Sequence, residues 1–207
     1  MSSAPRAKRG RVRATQAERR ALTIRRLTDA TLETLFKLGY ARTTVKEICR
    51  RAKLSDGALF RFFPTLLDLI LASAETAARR HIEDFEARFE AADHGTEPLV
   101  TALAILRDIC RSKTNTVLNE LLIAARTDAI LRRRLAPGIE AYQTAIRSAA
   151  QSLPGIEAVP AQMRDALVFG ATHLFDREAQ FHHVYPQPDE ENLRLALLQR
   201  FVTTLKP

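Results

Sequence analysis

The run TTVKEICRRAKLSDGALFRFF, Thr43 to Phe63, constrains this chain more than any other stretch. Two short segments with apolar residues at helical spacing flank the tripeptide Lys53-Leu54-Ser55, a connection that predicts a tight turn between two helices. Thr43 and Thr44 offer hydroxyls to start the first segment, and Glu47 stands three residues after Thr44, the spacing of a capping box. Ser55 is placed to cap the second segment, with Asp56 favourable in its first turn. The pattern predicts one helix from Val45 to about Ala52 and another from about Asp56 to Phe63. Val45, Ile48, Leu54, Leu59 and Phe63 supply an inner apolar core. In a helix-turn-helix of this kind the second helix can enter a DNA major groove, but ordinary helical proteins contain similar turns.

The rest of the chain is also helical in spacing. Ile24, Leu27, Thr31 and Leu35 share one face of a helix beginning near Arg19, and Gly39 is placed to end it, because glycine enters the left-handed region freely. Pro64 is expected in the first turn of a long fourth helix that runs to Asp93-His94-Gly95. Helical segments follow at 96–113, 116–128 and 129–135. Pro137-Gly138 predicts a break before a segment at 139–153, and 154–160 reads as a loop. Two last helices span 161–184 and 189–205. The expected fold is all-α with about nine helices: an N-terminal three-helix helix-turn-helix domain and a C-terminal helical domain. The expected divisions are a flexible basic arm at 1–17, a helix-turn-helix domain at 18–65 with its motif at about 44–63, and a larger domain at 66–207.

Charge divides the chain in the same place. Of 207 residues with formal net charge +8, residues 1–63 hold 16 Lys and Arg against 5 Asp and Glu, and the remainder holds 16 against 19. A basic front suits a phosphate-rich partner, although solvated lysines and arginines on a helical surface would look the same. Cys49 and Cys110 are far apart, without CxxC spacing, so two buried reduced thiols are expected rather than a zinc site or a disulfide. No apolar run approaches the ~20 residues of a membrane span. The N-terminus lacks the apolar segment of a secretory signal, so a cytoplasmic protein without membrane association is expected. No Ser/His/Asp set, glycine-rich phosphate loop or metal-ligand spacing occurs, so neither enzyme activity, a metal nor a cofactor is expected.

The run GYARTTVKEICRRAKLSDGALFRFFPTLLDL narrows the reading, because it resembles the DNA-binding segment of TetR/AcrR-family transcriptional regulators. The matching positions are Gly39, Tyr40, Thr43, Thr44, Val45, Ile48, Ala52, Ser55, Gly57, Leu59, Phe63 and Leu69. The resemblance covers about residues 20–75. Beyond them only length and helix layout agree. Four positions depart from the family pattern: Cys49 stands at a usual Ala, Lys53 at the turn glycine, Phe60 at a usual Tyr and Leu66 at a usual Lys. The last two remove family contacts to the DNA backbone, and Arg42, Lys46, Lys53, Arg61 and the arm are positioned to compensate.

The resemblance implies a ligand-responsive, sequence-specific DNA-binding regulator, expected to be a repressor that an inducer releases from a palindromic operator in double-stranded DNA. It implies DNA-facing roles for Thr43, Thr44, Lys46, Lys53, Ser55, Asp56, Gly57, Phe60, Arg61, Phe62 and Thr65, with Arg9, Arg11 and Arg13 of the arm as minor-groove candidates. It also implies a pocket for an unidentified small-molecule effector, with Phe85, Leu106, Cys110, Leu122, Arg126, Tyr142, Phe169 and His173 as candidates by their inward, mixed character. Two helical stripes, Leu167, Ala171, Leu174, Phe175 and Phe181, then Leu193, Leu197 and Phe201, must bury somewhere, either within the chain or, as the resemblance favours, in a homodimer. The rival readings are a non-specific architectural DNA binder and a helical-bundle carrier or enzyme.

Overall fold

The computed structural model describes residues 15–205, and the arm residues Arg9, Arg11 and Arg13 lie outside them. Among the described residues there are nine α-helices and no strand: α1 Gln16–Leu38, α2 Val45–Ala52, α3 Asp56–Phe60, α4 Leu66–Ala91, α5 Pro98–Cys110, α6 Lys113–Ala125, α7 Ala129–Gln151, α8 Ala161–His182 and α9 Pro188–Thr204. Short 3-10 turns at Tyr40–Arg42 and Ile156–Ala158 complete the path.

Two helix starts are fixed by reciprocal caps. The Thr15 hydroxyl accepts from the Glu18 N–H while the Glu18 carboxylate accepts from the Thr15 N–H, so α1 starts before the expected Arg19. Thr65 and Asp68 make the same exchange at α4. That box places Pro64 ahead of the N-cap rather than in the first turn. The second correction concerns Pro137, which lies inside an unbroken α7. A proline there removes one backbone hydrogen bond at a cost of about 3 kcal/mol. The helix nevertheless continues because Leu131, Leu135, Ile139 and Tyr142 lie along one face, where all four pack into a common core. α3 also stops at Phe60, short of the expected Phe63.

Three apolar clusters organise the packing. Leu27, Ala30, Ile48, Cys49, Ala52, Leu59, Phe63 and Leu69 join α1 to α4 in an N-terminal head. Leu35, Ile70, Ala74, Ala77, Val117, Leu118, Leu121, Ala125, Leu131 and Leu135 join α1 and α4 to α6 and α7. Leu103, Cys110, Ala171, Phe175 and Val202 join α5 to α8 and α9. Both cysteines are buried free thiols.

Beside this third cluster lies a buried ionic knot. Glu178 accepts from Arg107 Nε at 2.6 Å, Arg111 Nη2 at 2.9 Å and Arg194 Nε at 3.1 Å. Glu191 accepts from Arg111 at 2.7 Å and faces His182 at 3.0 Å. The Glu178 and Arg107 side chains are 1% and 7% exposed, so each depends on the other for its solvation. Removing one member of a buried pair strands the other and costs about 3–5 kcal/mol. Glu178→Ala is therefore expected to destabilise the fold by about that amount in urea unfolding. Asp84→Ala, which breaks an exposed pair with Arg88 on α4, should stay within about 1 kcal/mol.

Candidate nucleic-acid interface and effector cavity

The interface is built on the α2–turn–α3 unit. The Thr44 hydroxyl accepts from the Glu47 N–H at 3.3 Å, and Ser55 caps α3 by accepting from the Ala58 N–H at 3.2 Å. The reciprocal half of the Thr44 box does not form. The Glu47 carboxylate turns to Arg50 at 2.6 Å and Arg51 at 2.7 Å, and these guanidiniums hold its pKa down to about 2. Lys53 ends α2 in the left-handed region at φ 53°, the only non-glycine residue there with positive φ among the described residues. Arg26 of α1 fastens this turn, donating to the carbonyls of Ala52 at 2.6 Å and Lys53 at 3.3 Å.

Thr44, Lys46, Lys53, Ser55, Asp56, Gly57, Phe60, Arg61 and Thr65 of this segment are exposed. Thr43 and Phe62 turn inward. The Thr43 hydroxyl is buried and donates to the Gly39 carbonyl at 2.8 Å. The Phe62 ring packs against the head core beneath the Arg20 guanidinium, 5.2 Å from its centroid. Cys49 lies under the same unit, its thiol pushed up to about 11 by burial and by neighbouring Asp56.

A cavity of about 90 Å³ lies between α4, α5, α7, α8 and α9. Phe85, Leu106 and Tyr142 stand on its wall, as the sequence suggested. Cys110 is buried in the adjoining cluster, its thiol pushed up by burial and by nearby Asp176, and it does not line the void. Leu122, Arg126 and His173 are exposed and Phe169 is half-buried, all four away from the wall. Phe169 pairs with the Arg147 guanidinium at 4.9 Å and tilts against the His173 ring. The wall residue that sequence reasoning missed is His81 of α4, whose Nδ1 is hydrogen-bonded to the Tyr142 hydroxyl. Burial lowers the His81 pKa against the opposing pull of Asp176, the Ile109 backbone and Asp84, which favours the neutral ring.

The stripe on α8 divides. Leu167 and Ala171 line the cavity, Phe175 is fully buried and Leu174 packs on the same cluster. Ala171 and Phe175 are buried in the chain's own core, which removes these two from a dimer face, while Leu167 and Leu174 are half-buried. Phe181, Leu193, Leu197 and Phe201 are exposed. Among the described residues no group of three or more His, Cys, Asp or Glu is arranged to hold a metal ion, and no helix is long and apolar enough to cross a membrane.

The family described as bacterial regulatory proteins, tetR family, matches residues 27–72, which span the head. An HTH-type transcriptional regulator of Mycobacterium tuberculosis is 39% identical over 189 residues, covering 91% of this chain and 97% of the relative. A counterpart in Mycobacterium bovis matches equally. The chain belongs to the TetR family. It is a transcriptional regulator with an N-terminal helix-turn-helix. Solved structures of the same fold include a TetR-family regulator from Rhodococcus sp. with a TM-score of 0.69 and 17% identity, covering 90% of this chain and 100% of that one. The multidrug binding protein EbrR, complexed with imidazole, aligns with a TM-score of 0.63 at 18% identity, covering 89% and 94%. FadR from Bacillus subtilis, in complex with stearoyl-CoA, aligns at 0.59 and 16%, covering 87% and 96%.

In this TetR-family chain the head is joined to the body by more than α4. The Tyr40 N–H donates to Glu120 at 2.7 Å and the Tyr40 hydroxyl to Asp128 at 2.9 Å. Burial and the Asp128 carboxylate push the Tyr40 pKa up to about 12. Sequence reasoning had a motif for Tyr40 but no local signal for Glu120, Asp128 or the turn-clamping Arg26, which act across 80, 88 and 26 residues of chain. The left-handed turn residue supports a direct test. Lys53→Gly is expected to stabilise the protein by about 1 kcal/mol in denaturant unfolding, through relief of the turn. If Lys53 grips a phosphate, the same change should flatten the salt slope of DNA binding by about one unit.

Proposed function

We propose that this regulator is a homodimeric repressor that binds a two-fold symmetric DNA operator and lets go when a small molecule enters the α4–α9 cavity. The observation that carries the reading is continuity. One helix, α4, supplies Leu69 to the head core and His81, Ile82 and Phe85 to the cavity wall. A ligand that binds the two conformations differently shifts their balance, and a displacement of α4 changes the spacing of two heads that must span half-sites about 34–36 Å apart. The bound molecules named for EbrR and FadR support a ligand role for a cavity in this fold.

The dimer face in this reading is the exposed side of α8 and α9. Phe181, Leu193, Leu197 and Phe201 are 56%, 69%, 69% and 41% exposed, a density of apolar surface that a second copy would cover. Leu197→Glu is expected to yield a monomer in sedimentation velocity and to lose cooperative binding to a symmetric site.

In the reading head, Lys46, Lys53 and the hydroxyls of Thr44 and Ser55 are assigned to phosphates, whereas the Thr65 hydroxyl donates to Asp68 at 2.7 Å. Arg61 is assigned to a base edge or phosphate beside Gly57, where the backbone comes close to the DNA. Fluorescence anisotropy on DNA flanking the protein's own gene, against a scrambled duplex, tests the whole proposal. A specific preference of about a thousandfold at physiological salt is expected. Arg61→Ala should reduce specific binding by about 1–3 kcal/mol. Equal, steeply salt-dependent binding to both duplexes would favour an architectural binder instead.

A further inference from the structure

The cavity wall is chemically one-sided. Apart from His81, Tyr142 and Thr172 it is hydrocarbon, and no Asp, Glu, Lys or Arg lines it. The Thr172 hydroxyl is spent on its own helix, donating to the Val168 carbonyl at 2.8 Å. The nearby buried charges are committed elsewhere: Arg107 to Glu178 and Asn192, and Asp176 to the Asn115 amide at 2.7 Å. A ligand carboxylate or ammonium seated in this first void would therefore be buried without a counter-charge, at a cost a modest apolar contact cannot offset.

On the histidine one hydrogen-bonding capacity is left over. The Tyr142 hydroxyl occupies His81 Nδ1, whereas the buried Nε2 completes no hydrogen bond within the chain. The Ile109 backbone lies near enough to favour a proton on the ring, but not in hydrogen-bonding geometry. A neutral imidazole with one nitrogen engaged offers the other as donor or acceptor according to its tautomer, and a hydroxyl group can satisfy either.

The shape adds a second constraint. Another void of about 80 Å³ lies next to the first, and Leu99 and Val202 form walls of both. A slender chain running past Leu99 and Val202 would use both.

We infer that the effector site takes an uncharged, chain-like lipophile bearing a hydroxyl or carbonyl oxygen, which it reads through the His81–Tyr142 pair. The inference rests on the proposed effector role of this cavity.

The test uses the full chain, the neutral fluorophore N-phenyl-1-naphthylamine, and three competitors of equal length: dodecan-1-ol, dodecanoate and dodecyltrimethylammonium. Dodecanol is expected to displace the fluorophore at concentrations at least about tenfold below either charged analogue, given the penalty on an unpaired buried charge. His81→Phe and Tyr142→Phe should each weaken dodecanol by roughly five- to tenfold, the worth of one net hydrogen bond, while the fluorophore still binds. His81→Gln, which keeps a polar group at that depth, should retain most of the preference. Equal or tighter displacement by either charged analogue, or no displacement by the alcohol, overturns the inference.

Operator anisotropy with the same compounds separates this inference from the reading beneath it. If dodecanol binds but leaves DNA binding unchanged, the ligand class stands and ligand-controlled release falls. If a charged analogue alone releases the operator, release stands and the neutral class falls.

Discussion

Two neighbouring side chains on α4 set the constraint on which the rest of the structure depends. Leu69 is fully buried in the head core and Ile70 is buried in the core beneath it. About 100° of helix rotation separates them, so the two cores grip α4 from different sides. A rotation that relieves one contact set must be absorbed by the other. Ser73 and Ala77, both fully buried, continue the gripped surface, with the Ser73 hydroxyl returned to the Leu69 carbonyl at 2.7 Å. His81 lies about 18 Å beyond Leu69 along the helix axis, at 1.5 Å per residue. The cavity and the reading head are thus two ends of one stiff rod whose middle is held tightly.

The same geometry explains what could be read from the residues alone. Helix type and approximate number followed from three- and four-residue spacing. The caps at Thr44 and Ser55 followed from short polar side chains at the right offsets. Local reasoning failed where distant packing decided the outcome. Pro137 looked like a break because the loss of one backbone bond is visible in sequence, whereas the alignment of Leu131, Leu135, Ile139 and Tyr142 on a common core is visible only once α4 and α6 are in place. Glu47 looked like half of a capping box, and two adjacent arginines drew its carboxylate away.

The candidate sites show the limit more sharply. A periodic stripe tells that a helix face is covered, not what covers it. On α8 the stripe changes partner along its length: Leu167 and Ala171 face a void, Phe175 a packed core, and Phe181 the surface. Arg126 and His173 drew notice as polar residues in apolar helices, yet both face outward. His81 sits in the charged run ARRHIED and reads as surface, yet it is the imidazole that reaches the cavity. The head was more legible because its parts are close in sequence. Even there, Thr43 and Phe62 turned inward, since a hydroxyl at a helix start and a ring after a helix end have backbone and core partners within reach.

The joint at Gly39 carries a consequence of a different kind. Its backbone is left-handed at φ 75°, and a Cβ placed there would come within 2.8 Å of the Glu120 carboxylate, the group that receives the Tyr40 N–H. Any side chain at this position strains the backbone and evicts that carboxylate together, while leaving the reading face and the cavity wall untouched. In genetic terms, Gly39 is where the two halves of the molecule can be divorced by one codon. Alleles at Gly39 and Glu120 should fall into a single phenotypic class, distinct both from those that abolish operator contact and from those that reshape the effector site.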